Sequence, residues 1–101
     1  MSTHVTDNRE RSRFEIFQDD ELAGFAEYQR REDAVDFVHT EIDPRFGGLG
    51  LGGQLARAAL DSVRAAGLAV LPHCPFIRGW IARHPDYADL VPADQHARFG
   101  L

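Results

Sequence analysis

Apolar and polar positions alternate in three short stretches near the start of the chain. Arg13-Phe14-Glu15-Ile16-Phe17, then Leu22 to Arg30 with Phe25 and Tyr28, then Val35 to Ile42 each read as a strand. Asp19-Asp20 and Arg31-Glu32-Asp33 are polar links too short for a crossover, so the three strands are predicted to pair as an antiparallel meander. From Gly52 to Ala66 the period lengthens. Leu55, Ala59 and Val63 recur every four residues, Ala56 and Leu60 widen the stripe, and Arg57, Asp61 and Arg64 fall on the outer side. Gly67 stands where a helix C-terminal glycine belongs. Leu68-Ala69-Val70-Leu71 is a short buried strand stopped by Pro72. Pro75 suits the first turn of a second helix, running to about His84 with Ile77, Trp80 and Ile81 inward and Pro85 as its stop.

The order is β-β-β-loop-α-β-α, an α+β domain with helices on a largely antiparallel sheet. It is expected to span residues 12–91. Residues 1–11 read as a disordered polar tail, and the weakly patterned end, residues 92–101, as a second tail.

Composition narrows the function. A chain of 101 residues, 44% hydrophobic and 27% charged, is one globular domain. Its net charge of −5 argues against a nucleic-acid partner. All 11 basic residues are arginine, so no lysine serves as nucleophile or Schiff base. One cysteine, Cys74, forms no internal disulfide and no multi-thiolate metal site, which suits a reducing cytoplasm. The polar start lacks the apolar run of a secretory leader, and no apolar run approaches the ~20 residues of a membrane span. His39, His73 and Glu41 lack ligand spacing, so no metal site is expected.

Between the third strand and the first helix lie five glycines: Gly47, Gly48, Gly50, Gly52 and Gly53. Glycine permits positive φ and close approach to backbone N–H groups, and a helix start presents unpaired N–H groups at the positive end of its dipole. Gly47, Gly48, Leu49, Gly50, Leu51, Gly52 and Gly53 therefore make a candidate phosphate cradle. Gly48-x-Gly50-x-x-Gly53 matches the letters of a dinucleotide fingerprint, but three strands precede it and Leu71-Pro72-His73 stand where an acidic ribose partner belongs. A P-loop is excluded because no Gly-Lys-Ser/Thr follows.

Gly47-x-x-Gly50-x-Gly52 after Ile42-Asp43-Pro44 resembles the coenzyme A pyrophosphate loop of the GCN5-related N-acetyltransferases, with Gly47 where that loop usually has Arg or Gln. His39-Thr40-Glu41-Ile42, the glycine loop, Cys74-Pro75-Phe76 and Arg83-His84-Pro85-Asp86-Tyr87-Ala88-Asp89-Leu90-Val91 resemble, in order and spacing, the small single-domain members of that family that carry a C-P-F cysteine. The resemblance covers roughly residues 12–91. It implies a minimal acetyltransferase (GNAT) fold that binds acetyl-CoA as co-substrate. The pyrophosphate would lie on residues 47–53 and the pantetheine beside the third strand, bonded through the backbone of Ile42. The implied activity is acetyl transfer to an amine acceptor it does not identify; the alternative is a non-catalytic CoA-binding or regulatory module.

Independently of the resemblance, Cys74 follows a strand and precedes Pro75, an N-cap position whose helix field favours thiolate. Three roles are open to it: nucleophile for the acetyl group, general acid for the departing CoA thiolate, or inert buried thiol. His39, near the end of the third strand, is the candidate base.

Overall fold

A computed structural model describes residues 2–101 and has five strands in the order β1-β2-β3-β4-β5. The expected meander is β2 (Arg13–Gln18), β3 (Glu21–Arg30) and β4 (Ala34–Ile42), each antiparallel to the next. Helix α1 (Leu51–Ala65) returns the chain to β5 (Ala69–Pro72), which lies parallel to β4. Helix α2 (Pro75–Arg83) follows, then a 3₁₀ segment at Pro85–Leu90.

Two stretches differ from expectation. Residues 1–11 are not simply a frayed tail: β1 (Thr3–Asn8) pairs with β2 from Thr3–Gln18 to Asn8–Arg13. Its side chains are mostly exposed, so it carries no amphipathic signal. It is held by the ladder, by His4 stacked on Phe17 at 5.0 Å, and by the Tyr28 hydroxyl donating to Asp7 at 2.6 Å. Residues 92–101 also take up structure, as a 3₁₀ turn at Ala93–Gln95 and a short helix α3 (His96–Phe99), docked by the buried ring of Phe99.

Phe14, Ile16, Ala26 and Phe37 of the sheet meet Leu55, Ala59, Leu60 and Val63 of α1 and Ile77, Trp80 and Ile81 of α2 in one core. The α1 stripe is the one its four-residue period predicts. The two helices approach closely at the start of α1. A Cβ on Gly52 would lie 2.8 Å from the ring of Phe76, and one on Gly53 would touch the Trp80 indole nitrogen at 3.6 Å. Across α1, Tyr87 donates to Asp61 at 2.7 Å and accepts from Arg57 at 3.1 Å, while Arg64 pairs with Asp89 at 2.8 Å. These contacts fasten the Pro85–Leu90 segment to α1. Among the described residues, no helix is long and apolar enough to cross a membrane.

One irregularity sets the orientation of the site. Tyr28 pairs with Phe37 but Glu27 pairs with His39, so Val38 is an extra residue in β4. Such a bulge resets the alternation of side chains beyond it. Phe37 faces the core; after the bulge His39 faces outward and Thr40, opposite buried Ala26, faces inward.

Candidate active site

β5 pairs with β4 only from Ala34 to Phe37. The Cys74 N–H adds one further bond to the Phe37 carbonyl at 2.7 Å, as the chain turns into α2. From Val38 to Ile42, β4 continues with no strand on that side. The Asp43 N–H donates to Ala23 of β3 at 2.8 Å. Neighbouring amides along a strand point to opposite edges, so the Ile42 amide points to the open one. A segment of unpaired backbone thus lies between β4 and the start of α2, and peptide groups in such a place seek a partner.

The glycine loop closes one end of this gap. Asp43 caps a 3₁₀ turn at Pro44–Phe46 by accepting the Arg45 N–H at 2.9 Å. The Arg45 guanidinium bridges Asp43 and Glu21 at 3.1 and 3.0 Å. Its hydrogen bond to Asp43 holds that carboxyl below the usual range. Gly47 is extended, Gly48 has φ +81°, and Gly50 caps α1 at φ +74°. A Cβ on Gly48 or Gly50 would meet nothing within 4 Å, so backbone conformation, not crowding, calls for glycine there. The first helical bond of α1 runs from Gln54 N–H to Gly50 C=O at 3.2 Å. The N–H groups of Leu51, Gly52 and Gly53 precede it and have no partner within the helix. No acidic residue or side-chain cap occupies this end. The loop is thus open to an anion at residues 48–51, whereas Gly52 and Gly53 also serve the approach of α1 to α2.

Four large apolar side chains are exposed among the described residues, and three of them belong to the elements that bound the gap: Val38 on β4, Leu49 in the loop, and Phe76 on α2 against Gly52. Apolar exposure concentrated at one place marks a contact surface.

Cys74 caps α2, as its position before Pro75 predicts. It is buried, 3% exposed, and its Sγ lies 3.2 Å from Thr40 Oγ1. Either atom can donate. A neutral thiol can donate to the hydroxyl or accept from it; a thiolate only accepts. Thr40 was absent from the sequence-derived candidates. Its signal was the adjacent apolar pair Phe37-Val38, which breaks the alternation and marks the bulge that turns Thr40 inward.

His39 does not meet Cys74. The bulge puts it on the opposite face, half-exposed, with Nε2 3.5 Å from Glu41 and its ring 6.3 Å from Phe25. His73, next to Cys74 in sequence, also points away from it and pairs with Asp36 at 2.7 Å. His84 stacks on Trp80 and bonds its carbonyl at 2.7 Å, a packing role. Among the described residues, no group of three His, Cys, Asp or Glu side chains is placed to hold a metal ion.

A family model described as "GCN5-related N-acetyl-transferase" matches residues 13–90. The fold is similar to that of Ard1 from Thermoplasma volcanium, at a TM-score of 0.54 and 21% identity over 63% of this chain and 44% of that one. An acetyltransferase of the GNAT family from Streptococcus pneumoniae aligns at a TM-score of 0.45 and 22% identity, over 57% of this chain and 38% of that one. The chain therefore spans less than half the length of either solved protein.

Proposed function

Because the chain belongs to the family of GCN5-related N-acetyltransferases, we propose that it binds acetyl-CoA and transfers the acetyl group to an amine. The observation that carries this reading is the meeting of three features around one gap. These are the unpaired edge of β4, the free N–H groups at the start of α1, and Cys74 with Thr40 between them. The pyrophosphate would accept hydrogen bonds from the loop at Gly47, Gly48, Leu49, Gly50, Leu51, Gly52 and Gly53. The pantetheine amides would complete the β4 edge at Ile42, as an added strand would. Val38 and Phe76 would cover its apolar parts. The single free thiol suits a reducing compartment such as the cytoplasm.

In the proposed chemistry the amine nitrogen attacks the thioester carbon and the carbon–sulfur bond breaks. The proposed base for the amine proton is His39, half-exposed near the end of β4. The CoA thiolate takes the proton of Cys74, which Thr40 holds in line. Cys74 as nucleophile is the variant in which the acetyl group rests on sulfur before transfer. A second reading, a CoA-binding module without turnover, draws support from the burial of Cys74 and its separation from His39 by the strand.

Intact-protein mass spectrometry after incubation with acetyl-CoA tests these readings together. Native conditions are expected to show a one-to-one CoA complex; an acetyl group surviving denaturation and lost in Cys74→Ser selects the nucleophile. No complex at millimolar acetyl-CoA would overturn the proposal. A complex without release of CoA across a panel of amines would leave the binding module.

A further inference from the structure

Asp36 is buried, 4% exposed, on the outward face of β4. It accepts from Arg31 at 3.2 Å and faces His73 Nδ1 at 2.7 Å. The other ring nitrogen, Nε2, lies 3.1 Å from an Arg98 guanidinium nitrogen on α3. Arginine has donors and no acceptor, so this contact is a hydrogen bond only if Nε2 is unprotonated. The proton then sits on Nδ1 and goes to Asp36. His73 is thereby fixed in one neutral tautomer, with Arg98 reading its free lone pair. Phe99, the neighbour of Arg98, sets its buried ring edge-on against the imidazole at 5.0 Å.

From this geometry we infer that residues 91–101 form a pH-sensitive clasp, closed when His73 is neutral and loosened when its Nε2 is protonated. Protonation removes the acceptor that Arg98 uses and places an imidazolium against a guanidinium. Asp36 on β4 favours the charged ring; Arg31 from the β3–β4 turn and Arg98 from α3 oppose it. The clasp holds a second histidine, His96, whose Nε2 lies 2.8 Å from the Val91 carbonyl. That nitrogen serves as a donor whether the ring is neutral or charged, so its protonation leaves the bond in place. Residues 91–101 lie outside the stretch 13–90 that the family model matches, and the clasp is independent of the acetyl-transfer reading.

Hydrogen exchange of the segment 91–101 in the full chain, corrected for the intrinsic pH dependence of exchange, tests it. Opening of the clasp is expected to rise about tenfold between about pH 8 and about pH 5.5. His73→Phe keeps an aromatic edge for Phe99 and removes the titration, so its opening should be flat over that range. Arg98→Gln offers Nε2–H an acceptor, so its opening should be flat or should fall as the pH is lowered. Flat opening in the parent protein overturns the inference. So does a tenfold rise that survives in both variants, which would assign the effect to His96 or the carboxylates. Nitrogen chemical shifts of His73 give a test that needs no variant: a proton on Nε2 at neutral pH would also overturn it.

Discussion

The hydrogen bond between Thr40 and Cys74 can run either way for a neutral thiol and only from the hydroxyl to a thiolate. A valine at position 40 keeps the shape and removes the one side-chain donor at Sγ among the described residues. Thr40→Val is therefore expected to slow the alkylation of Cys74 by iodoacetamide at a fixed pH, and Thr40→Ser to restore it. An unchanged rate would leave Thr40 a packing residue. Saturating acetyl-CoA should slow the alkylation in the parent protein, since the thiol borders the gap. This pair shows where reading single residues from sequence stopped. Cys74 was legible because Pro75 fixes the helix start. His39 stands near the end of the same strand and offers a base, but a side chain's face cannot be assigned across an unrecognised bulge.

At the scale of elements, three glycines make contrasting predictions. A Cβ on Gly24 of β3 would lie 2.5 Å from the Glu41 carbonyl oxygen and 2.5 Å from Ile42 Cδ1. The first is backbone of β4 and yields only if the strands separate. Gly24→Ala is expected to cost about 1–3 kcal/mol, read as a lowered urea midpoint, with weaker CoA binding because β4 is displaced at Ile42. In Gly53→Ala the new methyl makes ordinary contact with Trp80 and gains helix propensity, so stability should rise by up to about 1 kcal/mol. Gly50→Val forces a branched side chain into φ +74° at the cap of the helix end whose first N–H groups are free. A folded Gly50→Val protein that binds CoA normally by calorimetry would remove the loop from the proposed site. The elements around these glycines were legible because β2 to β4, α1 and α2 each bury one face. β1 and α3 were not. β1 is a mostly exposed edge strand held largely by backbone pairing, and α3 buries only Phe99, which gives a periodicity search nothing to repeat.

For the whole molecule, the absence of lysine simplifies behaviour in alkali. Arginines stay charged, so the two tyrosines dominate the response of the folded protein above about pH 10. Burial, then the hydrogen bond to Asp7, pushes the Tyr28 phenol up to about 12. The bond to Asp61, then burial, raises Tyr87 as well. Both folded values lie above that of an unfolded tyrosine, so the folded protein binds more protons in this window. The stabilisation is complete below about pH 10 and is lost as the pH rises through about 12, at a slope of about 1.4 kcal/mol per pH unit for Tyr28. The loss has a structural address: a Tyr28 phenolate would face the Asp7 carboxylate, and Asp7 belongs to β1. Urea midpoints at increasing pH should therefore fall in this window, with exchange at β1 rising before that of β2 to β4. Tyr28→Phe is expected to be less stable at neutral pH, because Asp7 loses its donor, yet to decline less steeply in alkali. A parallel decline in both proteins would show that Tyr28 does not link the edge strand to the core.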